Sequence, residues 1–187
     1  MEFDGQQSGE KVFTVIRPHI SHFYISFTIT IVCFIIVLAI LLSITSYIPA
    51  VAYTVNMIGA GASILILIIA SWWLWKTQSE DKTYITDRRI IRFDVVTPFF
   101  TNKRALFWNE ILKVKAYAPN MIMRLLKVGT LQIEPVAAEA ESIVIPDVYY
   151  HEDLANYLDK ILFTFKNTPS GMFTIKPFVA KPKGKRD

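Results

Sequence analysis

Residues 18–75 contain no Asp, Glu, Lys or Arg, an uncharged run of 58 residues in a chain of 187. A soluble domain does not gather its apolar residues into one such block. As one helix the run would be about 87 Å long at ~1.5 Å per residue. A bilayer core is about 30 Å thick and takes about 20 apolar residues, so the run predicts two spans. Cysteine is nearly absent. Cys33 alone permits no internal disulfide and no cysteine metal cluster, and it reads as a packing or lipid-facing residue. The seven glycines form no phosphate-cradling loop, no Gly-x-Ser-x-Gly elbow is present, and the three histidines lack metal-ligand spacing. No catalytic, cofactor-binding or metal-binding residue is expected, and the chain does not read as an enzyme. The lack of charge inside the spans also argues against an ion or proton path. A cleaved signal would need an apolar region of about 7–15 residues. Ala50-Val-Ala52 offers a cleavage site, but the run is too long and a second span follows at once.

The spans are expected at 24–47 and 51–75, broken at Pro49. Aromatic residues gather at their ends: Phe23 and Tyr24, Tyr47 and Tyr53, and Trp72, Trp73 and Trp75. This is the belt expected where a helix meets headgroups, and the three tryptophans read as interface anchors. Lys11 and Arg17 precede the run, Lys76, Lys82, Arg88, Arg89 and Arg92 follow it, and the turn has no basic residue. The positive-inside rule then places both ends in the cytoplasm, in a multi-pass protein of the cell (inner) membrane. Gly59 and Ser63 are four apart and share a helix face, which suits close packing against the first span or another subunit. His19 and His22 read as interfacial.

Beyond a polar connector at 77–81 the periodicity changes from helical to alternating. Strands are expected at 82–86, 89–95, 102–108, 112–117, 130–134 and 142–145, the last ended by Pro146, with an apolar knot at 121–126. Residues 10–17 are β-prone and suit either a strand or an interfacial segment. Leu154, Tyr157, Leu158, Ile161, Leu162 and Phe165 form one stripe of a closing helix, with Glu152, Asp153, Asn156, Asp159 and Lys160 opposite. The expected divisions are a cytoplasmic segment at 1–22, a transmembrane hairpin at 23–76, a β domain at 80–166 and a basic, disordered tail at 167–187.

Strands in this number followed by one helix follow the plan of a pleckstrin-homology (PH) fold, an antiparallel sandwich or barrel capped by a C-terminal helix. Four stretches carry a closer likeness: Gly9-Glu-Lys-Val12 with Arg17-Pro-His19, Tyr84-Ile-Thr-Asp-Arg-Arg-Ile-Ile91, Trp108-Asn-Glu-Ile-Leu-Lys-Val114 and Gly129-Thr-Leu-Gln-Ile133. In this order, around a two-span hairpin, they resemble the bacterial PH-domain membrane proteins of the YdbS type. The resemblance covers about residues 9–166 and implies a membrane-anchored, cytoplasmic PH-like domain. It implies no activity and no catalytic residues.

Charge suggests what such a domain could grip. Residues 82–127 hold ten basic and three acidic residues, whereas 129–159 hold seven acidic residues and no Lys or Arg. Arg88, Arg89, Arg92, Lys103 and Arg104 are the candidates for binding lipid phosphates or other anions, because the guanidinium fork matches phosphate oxygens. Glu134, Glu139 and Glu141 read as a solvated loop, and His151 as an exposed helix-start residue. The basic tail lacks an aromatic platform beside it, so nucleic acid is not an expected partner. The expected function is a binding or adaptor module at the inner membrane face, acting by protein interaction or self-association. Recognition of anionic lipid and service as an accessory subunit of a transport or secretion complex are the alternatives.

Overall fold

A computed structural model of the chain describes residues 3–46, 49–137 and 139–180. It divides into two compact units, Ile20–Ser79 and the combination of Met1–His19 with Glu80–Asp187.

The first unit is a pair of helices, α1 (Ile20–Ser46) and α2 (Pro49–Glu80). Pro49 opens α2 at a position where its missing N–H costs nothing. The expected turn at residues 47 and 48 lies outside the described residues. Within the helices, Phe23–Ser43 and Ala52–Glu80 have mean hydropathies of 3.0 and 2.1, and both are long and apolar enough to cross a membrane. Almost none of either apolar stretch is buried, unlike a helix in a soluble core. Hydroxyls inside them are satisfied locally. Thr30, Ser43 and Ser71 donate to the carbonyls of Ser26, Ala39 and Leu67 at 3.0, 2.8 and 2.7 Å. Such bonding one turn back satisfies each hydroxyl within its own helix. α2 continues through the stretch expected to be a polar connector, and only Asp81 separates it from the next strand. Trp72, Trp73 and Trp75 lie exposed on its last third, with Lys76 Nζ 5.6 Å from the Trp72 ring centre.

The small-residue face is used within this chain. A side chain at Gly59 would press into Leu41 of α1, whereas one at Gly61 would meet nothing within 4 Å. Ser63, one turn along from Gly59, is buried. Gly59→Leu is therefore expected to destabilise the hairpin by about 1–3 kcal/mol, the usual cost of overpacking. Gly61→Leu is expected to leave it unchanged. Cysteine crosslinking between α1 and α2 in membranes would check both, and equal crosslinking of the two variants would contradict the assignment.

Among the described residues the second unit contains seven strands in two antiparallel sheets. One has the order β1-β2-β3-β4 and the other β5-β6-β7. The strands are β1 (Val12–Ile16), β2 (Lys82–Thr86), β3 (Arg89–Thr97), β4 (Phe100–Phe107), β5 (Ile111–Tyr117), β6 (Val128–Pro135) and β7 (Ile143–Tyr149). The short helix α3 (Met121–Leu125) joins β5 to β6, and α4 (His151–Asn167) follows β7. The open question at residues 10–17 resolves as a strand. β1 precedes the helical pair and β2 follows it, yet they pair side by side, Ile16 opposite Thr83 and Val15 opposite Tyr84. The β domain is thus discontinuous in sequence, and the division expected at residue 80 cuts through it.

Inward-facing residues of both sheets and the stripe of α4 form one core, among them Phe13, Ile85, Ile90, Leu131, Ile133, Leu158 and Ile161. Trp108 is fully buried and donates its Nε1–H to the carbonyl of Thr86 at 3.0 Å. A 3-10 turn over Trp108–Glu110 turns it inward. β7 does not stop at Pro146 as expected. It is the outer strand of its sheet, where a missing N–H need not break a ladder, and it runs on to Tyr149.

The tail expected to be disordered is ordered where described, and so is the start of the chain. Phe3 packs its ring 4.8 Å from that of Tyr84. Beyond α4, Pro169–Thr174 forms a 3-10 turn that buries Met172, and Ile175 and Phe178 pack on the core. Tyr157 anchors this stretch, donating its hydroxyl to the Lys176 carbonyl at 2.8 Å. Apolar residues spaced among the lysines explain why a basic composition did not prevent packing. The most basic part of the tail, residues 181–187, lies outside the described residues.

Candidate functional site

The five basic residues singled out as anion ligands do not form one patch. Arg88 and Arg89 follow β2 at the turn into β3, where the N-terminal segment reaches them. Arg88 donates to the Gln7 side chain at 2.9 Å and the Ser8 carbonyl at 3.3 Å. Arg89 forms a two-pronged pair with Glu10, Nε to Oε1 at 3.0 Å and an Nη to Oε2 at 2.9 Å. The other two bonds to the Glu10 carboxylate come from the Thr86 hydroxyl, at 2.8 Å, and the Gln7 N–H, at 2.9 Å. Burial alone would raise the Glu10 pKa. The hydrogen bonds from Arg89, Gln7 and Thr86 outweigh it and hold the carboxyl at about 2.

Arg92 and Arg104 face each other across β3 and β4. Arg92 is buried and reaches Asp81 at 3.2 Å, Asp94 at 3.0 Å and the Val144 carbonyl. Arg104 pairs with Glu141 at 3.1 Å. Lys103 points to the opposite face, where it donates to the Asp4 carbonyl at 2.5 Å and sits 5.2 Å from the Phe93 ring centre. Glu10 as the partner of Arg89 is not apparent from sequence, because the two are 79 positions apart. Glu134 belongs to the expected strand rather than to the solvated loop of Glu139 and Glu141. It lies on β6 beside Lys113, at 3.2 Å, and Lys115, whose hydrogen bond holds the carboxyl below its ordinary range.

A second constellation, legible only in part from sequence, lies at the start of α4. A cleft of about 220 Å³ is lined by Arg124, Leu125, Lys127, Tyr150, His151, Glu152 and Asp153. Lys127, Asp147 and Tyr150 all adopt left-handed backbone, at φ 57°, 53° and 53°. Non-glycine residues rarely do so, and such conformations gather where surrounding contacts enforce them. Here the Tyr150 N–H donates to the Lys127 carbonyl at 2.8 Å, and Lys127 Nζ lies 5.3 Å from the Tyr150 ring centre. His151, expected to be exposed, is 5 % exposed. Its ring occupies the space that Gly129 leaves open on β6, since a Cβ there would come within 2.5 Å of two ring carbons. Its Nδ1 has no hydrogen-bond partner. With two cations and two carboxylates around it, the cleft has no single sign of charge to select an ion.

The contact between Gly129 and His151 gives a direct test. Gly129→Ala is expected to cost about 1–3 kcal/mol by overpacking. Adding His151→Ala should recover much of that loss, and a thermal melt of the two variants measures it. A double variant no better than the single one would place the strain elsewhere.

Among the described residues no group of three or more His, Cys, Asp or Glu side chains could hold a metal ion. Comparison of the chain with protein-family models, with curated proteins and with solved structures returns no match.

Proposed function

We propose that the chain is a membrane-anchored binding module, a PH-like β domain held at the cytoplasmic face as an adaptor for a protein partner or a second copy. Two apolar helices of spanning length support the anchor, and the distribution of Lys and Arg supports the orientation. Four strands, three strands and a closing helix in that order support the PH-like reading, as does the likeness in residues 9–19, 84–91, 108–114 and 129–133.

The observation that carries the binding role is β4. It is an outer strand, paired on one side with β3, and every residue from Thr101 to Phe107 except Leu106 reaches solvent. Natural proteins usually blunt or cover such an edge, and an extended partner segment can add to it by main-chain hydrogen bonds. The buried Glu10 and Arg92 serve the fold through ion pairs rather than lining an open site.

A photo-crosslinking residue at Asn102, on β4, tests this in native membranes, with Asn109 as control and two differently tagged copies expressed together. The expected result is one discrete adduct from position 102, weakened by Ala105→Lys. Mixed tags in the adduct mean self-association, and a single tag means another protein. Monomer alone from both positions would remove the support for an adaptor role.

A further inference from the structure

We infer that the β unit carries an apolar rim, on the β3–β4 hairpin and α3, that beds into the lipid surface of the membrane. The inference rests on the membrane-anchor reading above and adds which surface of the β unit meets lipid.

The rim is identified first by what it exposes. Phe99 and Phe100 at the hairpin tip are 72 % and 73 % exposed, and Val96 beside them is also exposed. On α3, Met121, Ile122 and Leu125 are 88 %, 71 % and 83 % exposed. This helix buries none of its residues, although it is capped by Asn120, whose side chain accepts the Met123 N–H at 2.8 Å. A short helix that contributes nothing to the core has no structural need for apolar residues. Single exposed apolar residues are ordinary, but grouped ones mark an interaction surface.

Position identifies the occupant. β1 leaves its sheet at Ile16, opposite Thr83, and β2 enters at Lys82, opposite Phe93. Both passages towards the apolar helices therefore lie at one end of the sheet. β3 runs on beyond Phe93 at that same end, where Asp94, Val95 and Thr97 pair with Asn102, Thr101 and Phe100. The hairpin tip overhangs the passages. A relay of contacts along β7 links α3 to them as well. His19, just past β1, donates its N–H to the Asp147 carbonyl at 2.6 Å and stacks 5.3 Å from Tyr149. Tyr150 in turn bonds to Lys127, next to α3. A surface on the end through which the chain enters a bilayer meets that bilayer before any soluble partner.

Charge agrees. Residues 95–133 contain six Lys and Arg and one acid, Glu110; four of the cations pair with acids elsewhere, and the other two, Arg124 and Lys127, lie in α3 and just after it. Apolar side chains set among cations suit an interface with anionic headgroups, where both kinds of contact add.

The test uses the full chain with Cys33→Ser, carrying one cysteine for an environment-sensitive dye by Phe100→Cys, Leu125→Cys or Asn109→Cys. Asn109 is the control, because neighbouring Trp108 bonds to Arg88 at the far end of the sheet. Each protein is reconstituted in vesicles of phosphatidylcholine and phosphatidylglycerol bearing a shallow lipid-attached nitroxide. Flotation and resistance to carbonate extraction are measured on the same samples. At positions 100 and 125 the dye should be quenched by the nitroxide at least about twofold more than at 109, with reduced quenching by aqueous iodide. Equal, water-like quenching at all three sites in firmly inserted protein overturns the rim and leaves the anchor standing. Iodide protection without nitroxide quenching, lost as the protein is diluted in lipid, assigns the surface to a second copy and also overturns it. Failure to float or to resist carbonate overturns the anchor, and the lipid rim with it.

Discussion

Replacing Glu10 with alanine is expected to cost the β unit about 3–5 kcal/mol, the range seen when one member of a buried ion pair is removed. Its carboxylate is enclosed and accepts bonds from Arg89, Thr86 and Gln7, tying the N-terminal segment to the turn after β2. Alanine leaves the Arg89 guanidinium without its principal partner. Arg89→Met added to Glu10→Ala should return part of the loss, because the uncompensated charge goes with it. Near-UV circular dichroism of the full chain in micelles, followed through a thermal melt, gives the comparison. A midpoint unchanged by Glu10→Ala would refute the assignment.

The same pair sets a dependence on pH. Glu10 is held at about 2 in the fold, against 4.5 for an unperturbed glutamate. A group with a lowered folded pKa binds more protons when unfolded, so its contribution is complete above about 4.5 and declines as pH falls towards about 2. The full contribution is on the order of 3 kcal/mol at ~1.4 kcal/mol per unit. Melts of the native chain between pH 6 and pH 2 should therefore show a loss that Glu10→Gln does not share.

Trp108→Ala is expected to have a similarly large effect, about 3–5 kcal/mol, since a buried aromatic leaves a cavity and forfeits its transfer energy. Trp108 has no exposed surface and also satisfies the Thr86 carbonyl. Trp108→Phe should cost less, because it retains most of the volume and loses mainly the hydrogen bond. Equal midpoints for alanine and phenylalanine would mean that volume is not what Trp108 supplies.

The helices and most strands were legible because they rest on local pattern. The uncharged run marks α1 and α2, alternation marks β2 and β3, and the stripe from Leu154 to Phe165 marks α4. What escaped depends on partners remote in sequence. Val12–Ile16 alternates too weakly to declare itself a strand, and only β2 makes it one. Pro146 looked like a stop because sequence does not show that its strand lies at the edge of a sheet. Buried His151 depends on a missing side chain at Gly129. The candidate anion set shares residue type and nearness along the chain. The fold separates it by face and supplies Glu10, Asp81, Asp94 and Glu141 as neighbours. The apolar knot at 121–126 was visible in sequence, but its exposure was not.

The pairing of β1 with β2 also sets an order of assembly. During synthesis the first strand emerges well before its neighbour, with both apolar helices made in between. Closing a loop of that length costs entropy that grows slowly with its length, as about (3/2)RT ln n. Helices that pair early bring the two strand ends together and shorten the effective loop. Pairing of the two helices is then a step in folding the β domain. A fragment starting at residue 80 would lack an outer strand, and with it the core side chains of Phe13 and Ile16. Its failure to fold would be a consequence of connectivity rather than of low intrinsic stability.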